Sequence, residues 1–278
     1  MIIRARDECG MRAVILAGGK GTRLGPFTTI LPKPLLPIGE RAILELLVEQ
    51  LRVHGFTRLT LAVGYLSQLI EAVFGDGSAY GVSIEYHYED EPLGTAGALA
   101  GVNGLDEPFL MLNGDVITTL DFAELMAVHV AGGSALTIAT QVRRATVDFG
   151  VIEVENLNGN GNGNGNGNGY GDGDGSLQNV TGYLEKPSSE HAVSMGVYAL
   201  SPRLLHMIRP GAFLDFPDLV LKALAAGERV ASYRYDGLWL DIGRHEDYEQ
   251  AISAEPDLAT VLKEAAAGRN QLATAGEA

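Results

Sequence analysis

From Met11 onward, short apolar runs alternate with stretches of helical periodicity. Residues 12–17, 58–63, 82–88 and 108–112 read as strands, bounded by turn-forming residues. Between them Ile43, Leu46, Leu47 and Leu51 fall on one face at i, i+3, i+4 and i+8, and Leu66, Ile70 and Val73 repeat the pattern. Strand–helix alternation of this kind predicts an α/β fold, a doubly wound and mostly parallel sheet covered by helices. Further strands are expected in close succession at 135–141, 150–155, 180–185 and 193–200, so a mixed, strand-rich half follows the βαβ half.

Three segments stand apart from this pattern. Residues 1–10 carry charges that break any signal-peptide core and read as a flexible leader. Residues 158–175 alternate nine glycines with Asn, Tyr or Asp, too little apolar surface to offset the entropy of ordering them, and are expected to form a disordered surface loop. Residues 255–278 are expected to form an Ala-rich helical tail without hexapeptide repeats, which leaves 11–254 as one catalytic-sized domain.

Composition narrows the function classes. Of 278 residues, 46% are hydrophobic, which excludes whole-chain disorder, and no apolar run is long enough for a membrane span. The formal charge of −15 opposes nonspecific nucleic-acid binding and requires a local basic cluster for any anionic ligand. A single cysteine, Cys9, fits a reducing compartment, so a cytoplasmic protein is expected.

That basic cluster lies directly after the first strand, in the run from Leu16 to Glu45, LAGGKGTRLGPFTTILPKPLLPIGERAILE. Gly18, Gly19 and Gly21 let backbone N–H groups approach a phosphate, and Lys20, Arg23 and Lys33 bring cations to the same loop. It is not a Walker loop, since Lys20 precedes Gly21 and Thr22 in the wrong order. It is not the dinucleotide fingerprint either, because Leu24 stands where a small residue is required.

The run LAGGKGTRLGPFTTILPKPLLP resembles the signature of sugar-1-phosphate nucleotidyltransferases, the NDP-sugar pyrophosphorylases. EDEPLGTAGALA (89–100), NGDV (113–116), FGVIEV (149–154), LEKP (184–187), SMGVY (194–198) and WLDIG (239–243) follow in the family's order. The segment 89–100 is most similar to mannose-1-phosphate guanylyltransferases. The resemblance implies a Rossmann-like nucleotidyltransferase fold with a sugar-binding second half, nucleoside triphosphate and sugar 1-phosphate as partners, and Mg²⁺ as cofactor; it leaves a homo-oligomer open. The implied reaction is attack of a sugar-phosphate oxygen on the α-phosphorus with release of pyrophosphate. The nucleophile arrives ionised, so the protein supplies cations and positioning.

Within that reaction Arg23 is the candidate for the β- and γ-phosphates beside the Gly21 and Thr22 amides, Lys33 for the α-phosphate or the bridging oxygen where charge develops, and Lys186 for the sugar phosphate. Asp115, just past a strand, can hold Mg²⁺, and Asp241 is the second ligand the resemblance implies. The family pattern places Leu16, Glu89, Gly94 and Thr95 with the nucleotide, and Asn113, Gly150, Glu185 and Ser194 with the sugar. A carboxylate at Glu89 accepts from both N1–H and the 2-amino group of guanine, which favours GTP. Ser194 and Met195 depart from the Asn-Ala of many relatives, so a mannose, a heptose or another sugar fits equally, and Gly25 replaces a frequent arginine, a departure that bears on the grip of the triphosphate. His87, His191 and His245 have no metal spacing and read as surface or packing residues, and Trp239 as core or a sugar platform. The alternatives are a uridylyl- or thymidylyltransferase of the same fold and a non-catalytic nucleotide-sugar-binding regulatory subunit. Glycosyl transfer is disfavoured, since Asn113-Gly114-Asp115 lacks the first carboxylate of an Asp-x-Asp pair.

Overall fold

The computed structural model describes residues 10–89, 91–155, 179–243 and 245–253. The Asn/Gly tract at 158–175, the tail at 255–278 and residues 1–9 of the leader lie outside the described residues. In chain order the elements are β1 (Met11–Ala17), β2 (Pro37–Ile38), β3 (Arg41–Ala42), α1 (Ile43–Val53), β4 (Phe56–Val63), α2 (Ser67–Phe74), β5 (Ser83–Tyr88) and α3 (Gly94–Gly97). They continue with β6 (Phe109–Asn113), β7 (Val116–Thr118), α4 (Phe122–Gly132), β8 (Leu136–Thr146), β9 (Val151–Glu155), β10 (Asn179–Leu184), β11 (Ser188–Leu200), α5 (Phe216–Ala225), β12 (Val230–Arg234) and β13 (Trp239–Asp241).

Seven strands form one sheet in the order β12-β8-β11-β6-β1-β4-β5. β1 is parallel to both β4 and β6, β4 to β5, and β8 to β12, whereas β11 runs antiparallel to β6. Ala13, Ile15 and Ala17 of β1 join one core, and Val14 the other, which is why MRAVILA is apolar almost throughout. From β1 the chain builds outward through β4 and β5, then returns to place β6 on the other side of β1. Such a reversal opens a crevice at the carboxyl ends of the two central strands, where α/β sheets bind ligands.

The helices follow their apolar faces. In α1, Ile43, Leu44, Leu47, Val48 and Leu51 are fully or almost fully buried. α4 starts at Asp121, whose carboxylate accepts from the amides of Ala123 and Glu124, and stops at Gly133 in the left-handed conformation. One expectation needs correction: α2 buries Ile70 and Phe74, while Val73 is 50% exposed and Leu66 sits before the helix with φ +52°. The inward stripe is therefore i, i+4 from Ile70.

The chain divides into two compact units, Met1–Gln141 with Ser194–Ala278, and Val142–Val193. β8 and β11 run from one into the other. In the smaller unit β9 and β10 pair antiparallel, with Ile152 opposite Tyr183 and Val154 opposite Val180. Val147 N–H donates to the Pro187 carbonyl at 3.0 Å, and Arg144 meets Glu190 at 3.3 Å.

Candidate active site

β1 delivers the glycine-rich loop to the carboxyl end of the sheet. Gly18 is closely surrounded: a Cβ there would lie 3.0 Å from a Glu89 carboxylate oxygen, the far end of a flexible side chain, and 3.5 Å from the Gly64 amide nitrogen. Gly21 has φ +59°, and a Cβ would press on Thr28 at 3.0 Å and Lys33 at 3.2 Å. Thr28, buried, ties this turn down by donating its hydroxyl to the Gly21 carbonyl at 2.9 Å. By contrast, nothing lies within 4 Å of a Cβ at Gly19, so protein packing does not demand glycine there. Thr22 and Arg23 begin a short 3-10 turn and are exposed.

β6 carries the next group. Asn113 pairs with Leu16, and the Gly114 amide donates to the Leu16 carbonyl at 2.9 Å, the same distance at which a Cβ on Gly114 would meet that oxygen. The turn then presents Asp115. Its Oδ2 forms an ion pair with the nearly buried Lys33, and its Oδ1 is buried without a hydrogen-bond partner. β13 pairs with β7, Asp241 opposite Val116, and the Ile242 amide donates to the Asp115 carbonyl at 3.2 Å. The two aspartates are thus brought side by side from positions 126 residues apart.

Arg23 completes the cluster: its guanidinium lies 3.7–3.8 Å from where a Cβ on Gly243 would stand. Asp241 keeps one edge open to solvent, yet burial on its other side, followed by the charge of Asp115, raises its carboxyl pKa against the opposing pull of Lys33. Two carboxylates, one with an orphaned buried oxygen, together with Lys33 and Arg23, make a site suited to a hard divalent cation and phosphate oxygens. Among the described residues no three His, Cys, Asp or Glu side chains are grouped as a larger metal cage.

The remaining predicted residues fall into three sets. Glu89 lies against Gly18 and accepts the Leu93 amide at 3.3 Å, so its carboxylate belongs to the loop region. Gly94 has φ +78°, and a Cβ there would collide with the Leu214 carbonyl, while Thr95 accepts the Phe216 amide at 2.8 Å and so also fastens the start of α5. Asn113 packs its amide against Gly196, while Ser194 spends its hydroxyl on Tyr198 and the Gly196 amide. Gly150, Glu185 and Lys186 lie in the smaller unit. A Cβ on Gly150 would collide with the Tyr183 hydroxyl, which itself donates to Glu185 at 3.0 Å. Lys186 has φ +44°, a strained conformation for a side-chain-bearing residue. Trp239 is half-buried and donates to the Met195 carbonyl at 3.0 Å, and His245 bonds the Gly25 carbonyl. Thr28 and Tyr198 were not marked by the sequence pattern, since each acts through a partner that only folding supplies.

A family model described as nucleotidyl transferase matches residues 12–257. The chain belongs to the nucleotidyl transferase family. It is 32% identical over 262 residues to a UTP–glucose-1-phosphate uridylyltransferase of Synechocystis, covering 87% of this chain and 62% of that protein. It is 33% identical over 245 residues to a mannose-1-phosphate guanyltransferase of Schizosaccharomyces pombe, covering 86% and 62%. The chain therefore spans about 62% of the length of these curated relatives. Among solved structures, HddC from Yersinia pseudotuberculosis superposes with TM-score 0.61 at 23% identity, over 87% of this chain and 98% of that one, and shares the fold. Among the described residues no helix is long and apolar enough to cross a membrane.

Proposed function

We propose that this nucleotidyl transferase family member joins a nucleoside triphosphate to a sugar 1-phosphate, giving a nucleotide sugar and pyrophosphate. An anionic sugar-phosphate oxygen forms a bond to the α-phosphorus while the bond to the bridging α,β-oxygen breaks, and pyrophosphate leaves with that electron pair. The observation that carries the reading is the convergence of Arg23, Lys33, Asp115 and Asp241 behind a glycine loop at the sheet's carboxyl edge. No side-chain nucleophile is required, because both reactants are phosphates and the obstacle is their mutual repulsion.

Asp115 and Asp241 are the residues that would hold Mg²⁺, which when bound supplies charge neutralisation at phosphate oxygens. The orphaned Oδ1 of Asp115 fits that role. Lys33, held by Asp115, is aimed at the α-phosphate, and the exposed Arg23 and the Thr22 amide serve the β- and γ-phosphates. The sugar-phosphate role of Lys186 rests on the LEKP resemblance alone. For the base, we favour guanine, on Glu89 beside the loop and on the guanylyltransferases among the relatives. The uridylyltransferase among them keeps UTP as the second reading. Soluble substrates and one cysteine fit a cytoplasmic location.

A matrix of GTP, UTP, dTTP, ATP and CTP against mannose, glucose and heptose 1-phosphates with Mg²⁺, read by released pyrophosphate, tests this. Release with GTP above the other nucleotides is expected. A silent matrix, with nucleotide sugars still bound, points instead to a regulatory binding subunit.

A further inference from the structure

Ser194 and Tyr198 sit four residues apart on β11, about 13 Å in a straight strand. Gly196, between them at φ +73°, interrupts the extended run, and the Ser194 hydroxyl reaches the Tyr198 hydroxyl at 3.0 Å. Ser194 also accepts the Gly196 amide at 3.3 Å. The two hydroxyls carry two protons and share one bond, so whichever way that bond points, one proton finds no acceptor among the described residues. The observed geometry puts it on Tyr198, with Ser194 as the donor between them.

The residue that carries that proton is largely withdrawn from bulk water. Tyr198 is 7% exposed, and its ring stacks on Phe216 with centroids 3.7 Å apart, so the phenol is held still. Burial raises its pKa despite the Ser194 bond, with Asp241 and Asp115 adding to the rise, and it stays a donor at neutral pH. Tyr198 lies opposite Met111 in the sheet, and Gly196 packs against both the Asn113 amide and Val116. The pair therefore borders the short segment that carries Asp115. A hydroxyl proton left without an acceptor on a nearly buried residue is either a cost to folding or a contact awaiting a ligand.

We propose that Tyr198, set in place by Ser194, donates a hydrogen bond to a hydroxyl oxygen of a sugar bound beside Asp115, a ligand contact that displaces Ser194 from the direct role its motif position suggested. The proposal rests on the nucleotidyltransferase reading for the identity of that sugar. Tyr198→Phe removes the hydroxyl and keeps the ring on Phe216. In the pyrophosphate assay it is expected to raise KM for the sugar 1-phosphate roughly 5- to 20-fold, with nucleotide affinity, measured by equilibrium binding without sugar, within twofold of wild type. Ser194→Ala is expected to shift the same KM less, about two- to fivefold. An effect confined to nucleotide affinity would move the contact to the ribose and overturn the assignment to the sugar phosphate. Unchanged KM for both substrates in Tyr198→Phe overturns the proposal altogether. If wild type releases no pyrophosphate, the activity reading fails on its own. Binding of GDP-mannose and UDP-glucose to wild type and Tyr198→Phe then decides: a 5- to 20-fold loss supports the contact, and equal or absent binding overturns it.

Discussion

Replacing Lys33 by methionine removes the cation paired with Asp115 among the described residues but keeps much of the apolar stem. In the wild type Asp115 Oδ2 rests on Lys33 and Oδ1 has no partner, so the variant strands a carboxylate with both oxygens unpaired inside the fold. Breaking a fully buried ion pair in this way costs about 3–5 kcal/mol. Here the side chains of Lys33 and Asp115 are 11% and 24% exposed, so water recovers part of the lost solvation and about 2–3 kcal/mol is expected. Trp239, the single tryptophan, lies on β13 beside β7 and reports unfolding of this unit in urea. Adding Asp115→Leu to Lys33→Met should recover stability, because removing both partners avoids the stranded charge. A cost below about 0.5 kcal/mol for Lys33→Met, or a double variant less stable than the single one, refutes the reasoning.

Three further outcomes are expected. Gly21→Ala, forced to φ +59° against Thr28 and Lys33, should lose about 1–2 kcal/mol and weaken triphosphate binding, whereas Gly19→Ala should leave urea stability unchanged. Lys186→Gly relieves a left-handed backbone and should slow amide exchange in β9 and β10 while lowering turnover, with faster exchange counting against stored strain. His129, buried between Thr137 and Ser201, has its pKa lowered by burial and then by Arg203. The unfolded chain therefore binds the proton more readily, and stability should fall as pH drops below about 6.5, with a smaller fall in His129→Gln. Identical pH dependence in the two proteins would exclude His129 as the cause.

Much of the fold was legible because burial dictates composition locally. MRAVILA is covered on both faces, and the run of apolar residues betrays it. Val73 misled because an apolar residue at helical spacing looks the same whether its face is covered or open. In the site, Gly21 and Gly19 are indistinguishable as letters, yet only Gly21 occupies a turn that excludes a side chain. Lys33 and Asp115 announce phosphate chemistry singly, but their ion pair spans 82 residues and depends on β1 and β6 being neighbours. The Ser194–Tyr198 bond is hidden for a similar reason, since it requires a kink at Gly196 that no periodicity encodes.

The central claim is that Arg23, Lys33, Asp115 and Asp241 act together on the phosphates. It is tested most directly by pyrophosphate release from the best substrate pair, with Mg²⁺, in Arg23→Ala, Asp115→Asn and Asp241→Asn measured beside wild type. Each variant should fall roughly 10²-fold or more, and Asp115→Asn with Asp241→Asn should fall by far less than the product of the single losses. Rates within a few-fold of wild type in the three single variants would contradict the account.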